Sequence, residues 1–387
     1  MEIPASKIDL FSDEALTNTP LIYKALRDVG PVVHLPENDL YAVTHFDAVR
    51  TALRADDTLL NGHGVAANDF INGTSSEATI TSDGATHTRR RKILTKPLVP
   101  KSLEAVKHKV ADSADKLILD LLSRDEFCGV KDFASYLPVT IVAELVGLEE
   151  SGRENMLEWA AATFDALGPM NDRTIAALQT ALGLIKYTRQ LGPETVKPDG
   201  WAARIFEHID KGEISESEAA MMVVDYVAPS LDTTILASAH MLWRLATTAG
   251  AYDALKADKS HIRSMVYESV RLSSPIRSFT RFVERDYVTV AGTIPAGSRA
   301  AVLYASANWD ERHYPEADQF QIDRNPRDHL GWGHGSHICA GMHLARLEME
   351  ALATALVQYV DRIEVGEPKP IMNNILQGFA ELPVQFH

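Results

Sequence analysis

A glycine-rich segment that contains one cysteine, residues 332–341 (WGHGSHICAG), has the clearest chemical capacity in this sequence. Gly335 allows the backbone to turn tightly and to approach a flat ligand closely. Cys339 stands just before a predicted helix, 340–359, whose dipole and free N–H groups would stabilise a thiolate. Gly341 leaves room for a large group against the start of that helix. These are the features that an axial thiolate ligand to a haem iron would need.

Two other interpretations fit the same residues. A single cysteine is most often a small buried apolar side chain. His334, His337, Cys339 and His343 are also ligand types that bind zinc. The paired glycines favour the flat ligand, because a zinc loop does not need an open backbone.

An acidic and a basic residue, Glu268 and Arg271, are three positions apart and would share one face of a helix. Such a pair on a surface contributes about 0–1 kcal/mol. The motif by itself is weak, and its interest is its position about 70 residues before Cys339.

A carboxylate and a hydroxyl, Asp232 and Thr233, interrupt the long apolar stretch 215–247. A carboxylate in such a helix costs free energy unless it is paired or solvated. Thr233 can bond back to a carbonyl one turn earlier, and Pro229 removes an N–H, so a kink is predicted. The kink either holds internal water or forms a groove for a small molecule such as dioxygen beside a proton-delivery pair.

Four basic side chains complete the set of candidate ligand-binding groups. His87 and Arg91 are four apart and share a helical face. Arg281 stands at the edge of a predicted strand, and His337 precedes Cys339 by two positions. These side chains are natural donors to carboxylates.

The elements that must position these residues are mostly helical, so the predicted fold class is mainly α with a small β region. Short strands are predicted at 32–34, 40–44 and 279–290, and residues 57–86 read as a long irregular loop. Apolar periodicity predicts helices at 21–29, 46–54, 103–123, 138–147, 152–167, 172–190, 215–247, 260–272 and 340–359.

Composition limits the function classes. The 387 residues carry a net charge of −15, which argues against a nucleic-acid binder. The sequence has two cysteines, and no signal peptide or membrane-spanning run is apparent. A cytoplasmic protein without a membrane partner is expected.

Together these motifs resemble the cytochrome P-450 superfamily of haem-thiolate monooxygenases. Residues 332–341 match the pattern Phe-Gly-x-Gly-x-His-x-Cys-x-Gly, with Trp332 in the Phe place. Glu268 and Arg271 match the ExxR pair, and 228–234 (APSLDTT) resembles the oxygen-groove motif (A/G)GxDTT. The resemblance implies one domain over 1–387, a triangular helical bundle that encloses the haem, with a long central helix and no fused reductase.

The resemblance also implies a role for each residue. Cys339 would ligate the iron of haem b, Asp232 and Thr233 would relay protons, and Glu268 and Arg271 would be structural. Ser230, Pro229 and Trp332 depart from the family pattern. The residues that would contact the haem or its propionates are His87, Arg91, Arg281, His337, Trp332, Gly335 and Gly341.

The implied reaction inserts one oxygen atom from O2 into a small hydrophobic, aromatic substrate, by hydroxylation or O-demethylation. Electrons would come from a separate ferredoxin and an NAD(P)H-dependent ferredoxin reductase, and the basic run 89–96 suits an acidic ferredoxin. Alternatives are a haem sensor or carrier without turnover, a peroxide-using oxygenase, or a monooxygenase of a terpenoid or fatty acid.

The predicted substrate pocket is an apolar slot for one aromatic ring. Asp225 would repel a benzoate and accept a proton from a hydroxyl or an amine, which favours a neutral methoxylated or alkylated phenol, unless this side chain points to solvent. The pocket residues are Phe164, Leu167, Asp225, Ala228, Ile276 and Phe279.

Overall fold

The computed structural model describes residues 2–148 and 154–387, and helices dominate it. Its α-helices are Asp13–Thr17, Thr19–Val29, Phe46–Ala52, Asp69–Thr74, Gly84–Thr95, Pro100–Leu103, Lys107–Leu121, Ala143–Val146, Met156–Ala166, Asp172–Thr188, Trp201–Asp210, Glu216–Val227, Asp232–Thr247, Ala251–Ala257, Ile262–Ser273, Tyr304–Asn308 and Met342–Tyr359. The predicted class, mainly α with a small β region, is confirmed.

In the described residues the β-structure is small and divided among four sheets. The largest has five strands in the order β1-β2-β8-β5-β3, and Arg281 lies within β5 rather than at a strand edge. The strands are β1 Val32–Leu35, β2 Leu40–Val43, β3 Leu59–Leu60, β4 Phe127–Cys128, β5 Ser278–Val283, β6 Tyr287–Thr289, β7 Gly292–Ile294, β8 Arg299–Leu303, β9 Ile363–Val365, β10 Lys369–Pro370, β11 Phe379–Glu381 and β12 Pro383–Phe386.

The apolar stretch 215–247 forms two helices, here called the central helix pair, Glu216–Val227 and Asp232–Thr247. Ser215 begins the first by a capping box, in which its hydroxyl accepts from the Glu218 N–H and the Glu218 carboxylate accepts from the Ser215 N–H. A short 3₁₀ turn around Pro229 separates the two helices. This break agrees with the predicted kink, because proline supplies no N–H to continue the helix.

This stretch is long and apolar enough to cross a membrane by length and composition. Its most apolar window has a mean hydropathy of 1.2, and 72% of that window is buried inside the protein. Burial of this kind is typical of the core helix of a folded domain.

The prediction of an irregular loop over 57–86 is wrong in part. This segment contains β3, a helix over Asp69–Thr74, and the start of the helix Gly84–Thr95. The Asn68 side chain caps the first of these helices by accepting from the Ile71 N–H at 2.9 Å. The polar residues that indicated a loop therefore cap a short helix and form the turns between short elements.

The predicted helix 103–123 begins later, at Lys107, after a separate turn of helix and a 3₁₀ turn. The predicted helix 138–147 is a π-helical turn, Pro138–Val142, followed by Ala143–Val146. Residues 152 and 153, at the start of the predicted helix 152–167, lie outside the described residues, and the rest of that helix is found at Met156–Ala166.

Glu268 and Arg271 form a fully buried ion pair, so the surface interpretation of this motif is wrong. Both nitrogens on one edge of the guanidinium bond the carboxylate, at 2.7 and 2.8 Å. Its other terminal nitrogen donates to the carbonyl oxygens of Asn308 and Ala317, both at 2.7 Å. Arg324 also donates to Glu268, at 3.0 Å. The pair thus ties the helix Ile262–Ser273 to the segment that leads to the cysteine.

Candidate functional site

The segment 332–341, here called the cysteine loop, is held in a tight turn. The Cys339 N–H donates to the Trp332 carbonyl oxygen at 2.7 Å. Gly335 has φ +75°, and a Cβ atom there would collide with the Leu53 carbonyl oxygen. The loop therefore needs glycine at this position for its backbone conformation and for a close backbone approach.

The Cys339 sulfur faces the start of the helix Met342–Tyr359. Burial raises the pKa of the thiol, while hydrogen bonds from the Gly341 and Met342 N–H groups and the charge of Arg91 act to lower it. These groups favour the thiolate, and a coordinated metal ion would remove the proton outright. The geometry suits a sulfur ligand.

A cavity of about 320 Å³ extends from Cys339 to the central helix pair. Most of the residues predicted to contact the haem lie on the wall of this cavity. Gly335 is the exception, because it packs against the Leu53 backbone instead. The predicted residues that line the cavity are Cys339, Trp332, Gly341, His87, Arg91, Arg281 and His337.

The four basic side chains converge on this cavity. The ring centroids of His87 and His337 are 4.0 Å apart. Burial together with nearby positive charge lowers the pKa of His337 to about 2. Burial also lowers the pKa of His87, whose Nε2 is buried and has no hydrogen-bond partner among the described residues.

The two guanidinium groups have only neutral hydrogen-bond partners in the described parts of the chain. Arg91 donates to the Ile338 carbonyl oxygen. Arg281 donates to the Thr280 carbonyl oxygen at 3.0 Å and to the Tyr304 hydroxyl at 3.3 Å. Arg281 is buried and Arg91 is half-buried, and neither has a carboxylate partner among the described residues. Two such cations, beside an unpartnered imidazole nitrogen, fit the propionate groups of a haem.

Trp332 packs beside this site against two aromatic rings. Its indole meets Tyr267 edge-on, with ring centroids 5.5 Å apart, and lies 4.7 Å from the His329 ring. The larger ring at the Phe place of the family pattern is therefore accommodated by an aromatic cluster.

Asp232 and Thr233 begin the second helix of the central pair and have different surroundings. The Thr233 hydroxyl donates to the Pro229 carbonyl oxygen at 2.7 Å and lines the cavity. Asp232 is not on the cavity wall, and its Oδ2 is buried without a hydrogen-bond partner among the described residues. Burial raises the pKa of this carboxyl to about 7, which suits a group that holds and releases a proton.

All six residues of the predicted substrate pocket line the same cavity. Phe164, Leu167, Ile276 and Phe279 supply apolar surface, and Ala228 lies at the end of the first central helix. Asp225 faces the cavity rather than bulk solvent, and it accepts a hydrogen bond from the Thr79 N–H at 2.7 Å.

The zinc interpretation fails among the described residues. No group of three or more His, Cys, Asp or Glu side chains in residues 2–148 and 154–387 is arranged to hold a metal ion. His343 and His334 therefore do not join His337 and Cys339 in a four-ligand site.

The sequence analysis missed several polar residues on the cavity wall, among them Thr79 and Glu348. Burial raises the pKa of Glu348 to about 8, and its Oε1 has no partner in the described structure. The spacing of Leu344, Glu348 and Leu352 places this acid on the buried face of its helix, a signal that was available in the sequence. No comparable signal marks Thr79, which lies in a polar segment.

Comparisons with known proteins agree with this site. The family model described as Cytochrome P450 matches residues 179–386. The chain is 32% identical over 389 residues to cytochrome p450 CYP199A2 of Rhodopseudomonas palustris, covering 99% of this chain and 94% of that protein. It is 29% identical to the beta-dihydromenaquinone-9 omega-hydroxylase of Mycobacterium bovis, covering 94% and 75% of the two chains.

Solved structures show the same fold. The crystal structure of CYP108D1 from Novosphingobium aromaticivorans aligns with a TM-score of 0.84 at 26% identity, covering 96% of this chain and 95% of that one. P450BioI aligns with a TM-score of 0.88 at 21% identity, covering 97% and 99%. The protein therefore belongs to the cytochrome P450 family of haem-thiolate monooxygenases.

Proposed function

We propose that this protein binds haem b through Cys339 and inserts one oxygen atom from O2 into a small, largely apolar aromatic substrate by hydroxylation or O-demethylation. When bound, a thiolate-ligated haem supplies the oxygen-activating chemistry. His87, Arg91, Arg281 and His337 hold its propionates. The family relationship supports the reaction class, and the contacts described above support the residue roles.

Proton supply is assigned to Thr233 and Asp232. Thr233 lines the cavity, and its hydroxyl, which donates to the Pro229 carbonyl oxygen, can hold a proton there. Asp232 is adjacent in sequence and is poised near neutral pH because its carboxyl is buried. This pair favours turnover over a sensor or carrier role, since a carrier does not need to deliver protons.

The apolar slot supports an aromatic substrate. Phe164 and Phe279 are both more than nine-tenths buried and reach the cavity, as do Leu167 and Ile276. Rigid aromatic and aliphatic walls favour a flat ring by shape. The relative named beta-dihydromenaquinone-9 omega-hydroxylase is the observation that keeps a terpenoid as the second candidate.

Electrons are proposed to come from a separate ferredoxin and its NAD(P)H-dependent reductase. The basic run 89–96 contributes less to docking than its composition suggests, because Arg89 and Arg90 both pair with Glu218, at 2.6 and 2.9 Å. Lys92 and Lys96 remain exposed on this segment and supply the positive charge for an acidic partner. A cytoplasmic location is proposed as well, because the thiols of Cys128 and Cys339 are not paired in a disulfide.

One observation carries the proposal: the Cys339 sulfur faces backbone N–H groups at a helix start and opens onto a cavity whose wall carries two guanidinium and two imidazole groups. The test is the CO difference spectrum of the reduced protein, expressed with a haem precursor. We expect the shifted Soret band of a haem-thiolate in the wild type and in the Cys128→Ser control, and its loss in Cys339→Ser. A colourless wild type, or an unaltered band in Cys339→Ser, would refute the proposal. Product formation with redox partners supplied then separates the enzyme from a carrier.

A further inference from the structure

Two polar residues outside the cysteine loop, Asp225 and Thr79, meet on the cavity wall. Asp225 lies in the last turn of the helix Glu216–Val227, and Thr79 lies between the helices Asp69–Thr74 and Gly84–Thr95. The Thr79 N–H donates to one oxygen of the Asp225 carboxyl at 2.7 Å, and both residues line the cavity. This contact joins the carboxyl to the segment between those two helices.

The pair has unused hydrogen-bonding capacity. Thr79 is 3% exposed, and its hydroxyl makes no hydrogen bond of normal geometry with the described residues. It interacts only weakly with the Asp225 carboxyl, and this interaction lowers the pKa of that carboxyl against the effect of burial. The second oxygen of Asp225 makes no hydrogen bond to the described chain, and Asp225 lines the cavity. A buried hydroxyl without a well-formed partner is uncommon in folded proteins, which makes this one a candidate ligand contact.

The charges around the pair decide which ligand it takes. Arg90 is the cation whose charge acts on Asp225, but its guanidinium is committed to Glu218 at 2.9 Å and to the Ala78 carbonyl oxygen at 3.1 Å. No cation is therefore available at this wall, within the described residues, for a ligand carboxylate. Burial raises the pKa of Asp225 only to about 6, so that it is mainly an acceptor at neutral pH.

We infer that Asp225 and Thr79 form a polar subsite that binds a hydroxyl group of the substrate, so that the enzyme selects phenols over their methyl isosteres and over the corresponding carboxylates. The substrate hydroxyl donates to the free oxygen of Asp225, and the Thr79 hydroxyl donates to the substrate oxygen. An ammonium group satisfies only the first contact, because it has no acceptor for the Thr79 proton. The inference rests on the proposed function and assigns the substrate class to the same pocket.

The test uses the haem-loaded protein and four ligands of equal core: 4-methoxyphenol, 4-methylanisole, 4-methoxybenzoate and 4-methoxybenzylamine. Dissociation constants are read from the low-to-high-spin shift of the Soret band and, independently, by calorimetry. A hydrogen bond to a charged group predicts that the phenol binds about tenfold or more tightly than the methyl isostere. The benzoate and the amine are expected to bind more weakly than the phenol.

Two conservative variants locate the effect. Asp225→Asn keeps an acceptor for the Thr79 N–H but removes the charge, and Thr79→Val removes only the hydroxyl. Both variants should reduce the preference for 4-methoxyphenol over 4-methylanisole at least severalfold, while the affinity for 4-methylanisole changes little. Thr163→Val is the matched control, because that threonine also reaches the cavity but its hydroxyl already donates to the Trp159 carbonyl oxygen at 2.7 Å.

The possible failures are distinguishable. Any of three results would overturn the subsite. The wild type could bind 4-methoxyphenol and 4-methylanisole equally, it could prefer the amine or the benzoate, or its preference could be unchanged in both variants. A protein that lacks the haem-thiolate spectrum would instead overturn the proposed function, and this is established before any ligand is added.

Discussion

Removal of Arg271 should destabilise the protein far more than removal of an arginine that is exposed on the same helix. Arg271 is fully buried and bonds Glu268 through two nitrogens. The Arg271→Ala variant leaves the carboxylate with Arg324 and the Gln321 N–H, at 3.0 and 3.2 Å, and leaves two buried carbonyl oxygens without this donor. Breaking one side of a buried ion pair costs about 3–5 kcal/mol.

The matched control is Arg263→Ala. Arg263 lies in the first turn of the same helix, and its side chain is 59% exposed while it pairs with Glu350 at 3.2 Å. An exposed pair of this kind contributes about 0.2–1 kcal/mol. Comparison of the two variants therefore separates burial from the loss of an arginine.

Urea unfolding of the haem-loaded proteins, followed by far-ultraviolet circular dichroism, measures the difference. The free energy of unfolding of Arg271→Ala should be about 3–5 kcal/mol lower than that of the wild type, and its urea midpoint should fall by this amount divided by the m-value of the wild type. The urea midpoint of Arg263→Ala should stay close to that of the wild type. Arg271→Lys should lie between them, because lysine keeps the charge but not the forked geometry. Equal midpoints for Arg271→Ala and Arg263→Ala would refute the structural role.

Three further results are expected. Burial raises the pKa of Glu348 from 4.5 to about 8, so the folded protein keeps a proton on this side chain over a pH range in which the unfolded chain has lost it. The contribution of this acid to the free energy of unfolding is therefore complete below pH 4.5 and falls as pH rises, by about 1.4 kcal/mol per pH unit. Glu348→Gln should remove this pH dependence from urea midpoints taken at pH 5, 6 and 7, and an unchanged dependence would exclude the buried acid. Gly335→Ala should lower haem content because a Cβ atom meets backbone, whereas Gly73→Ala, with open space around it, should not; equal pigment would contradict the close approach. Charge reversal at Lys92 and Lys96 should raise the KM for ferredoxin at low salt and lose its effect at high salt; a salt-independent KM would count against docking on this segment.

The sequence alone determined the local features of this protein. Cys339, its glycines and the helix that follows are contiguous, so backbone freedom and the helix dipole could be inferred without knowledge of the fold. The kink at Pro229 follows from a missing N–H for the same reason. Helices with a strong apolar period, such as Asp172–Thr188, were also predictable, because their pattern is set by neighbours three or four residues apart.

Tertiary structure decided which distant groups meet. Local spacing places His87 and Arg91 on one helical face, but it does not show that this face meets the cavity or that Arg90 pairs with Glu218. Thr79 and Asp225 are 146 positions apart, and their contact depends on how the segment before the helix Gly84–Thr95 packs on the central helix pair. Pairing and desolvation depend on distances in space between elements remote in sequence, and these distances exist only once the chain has folded.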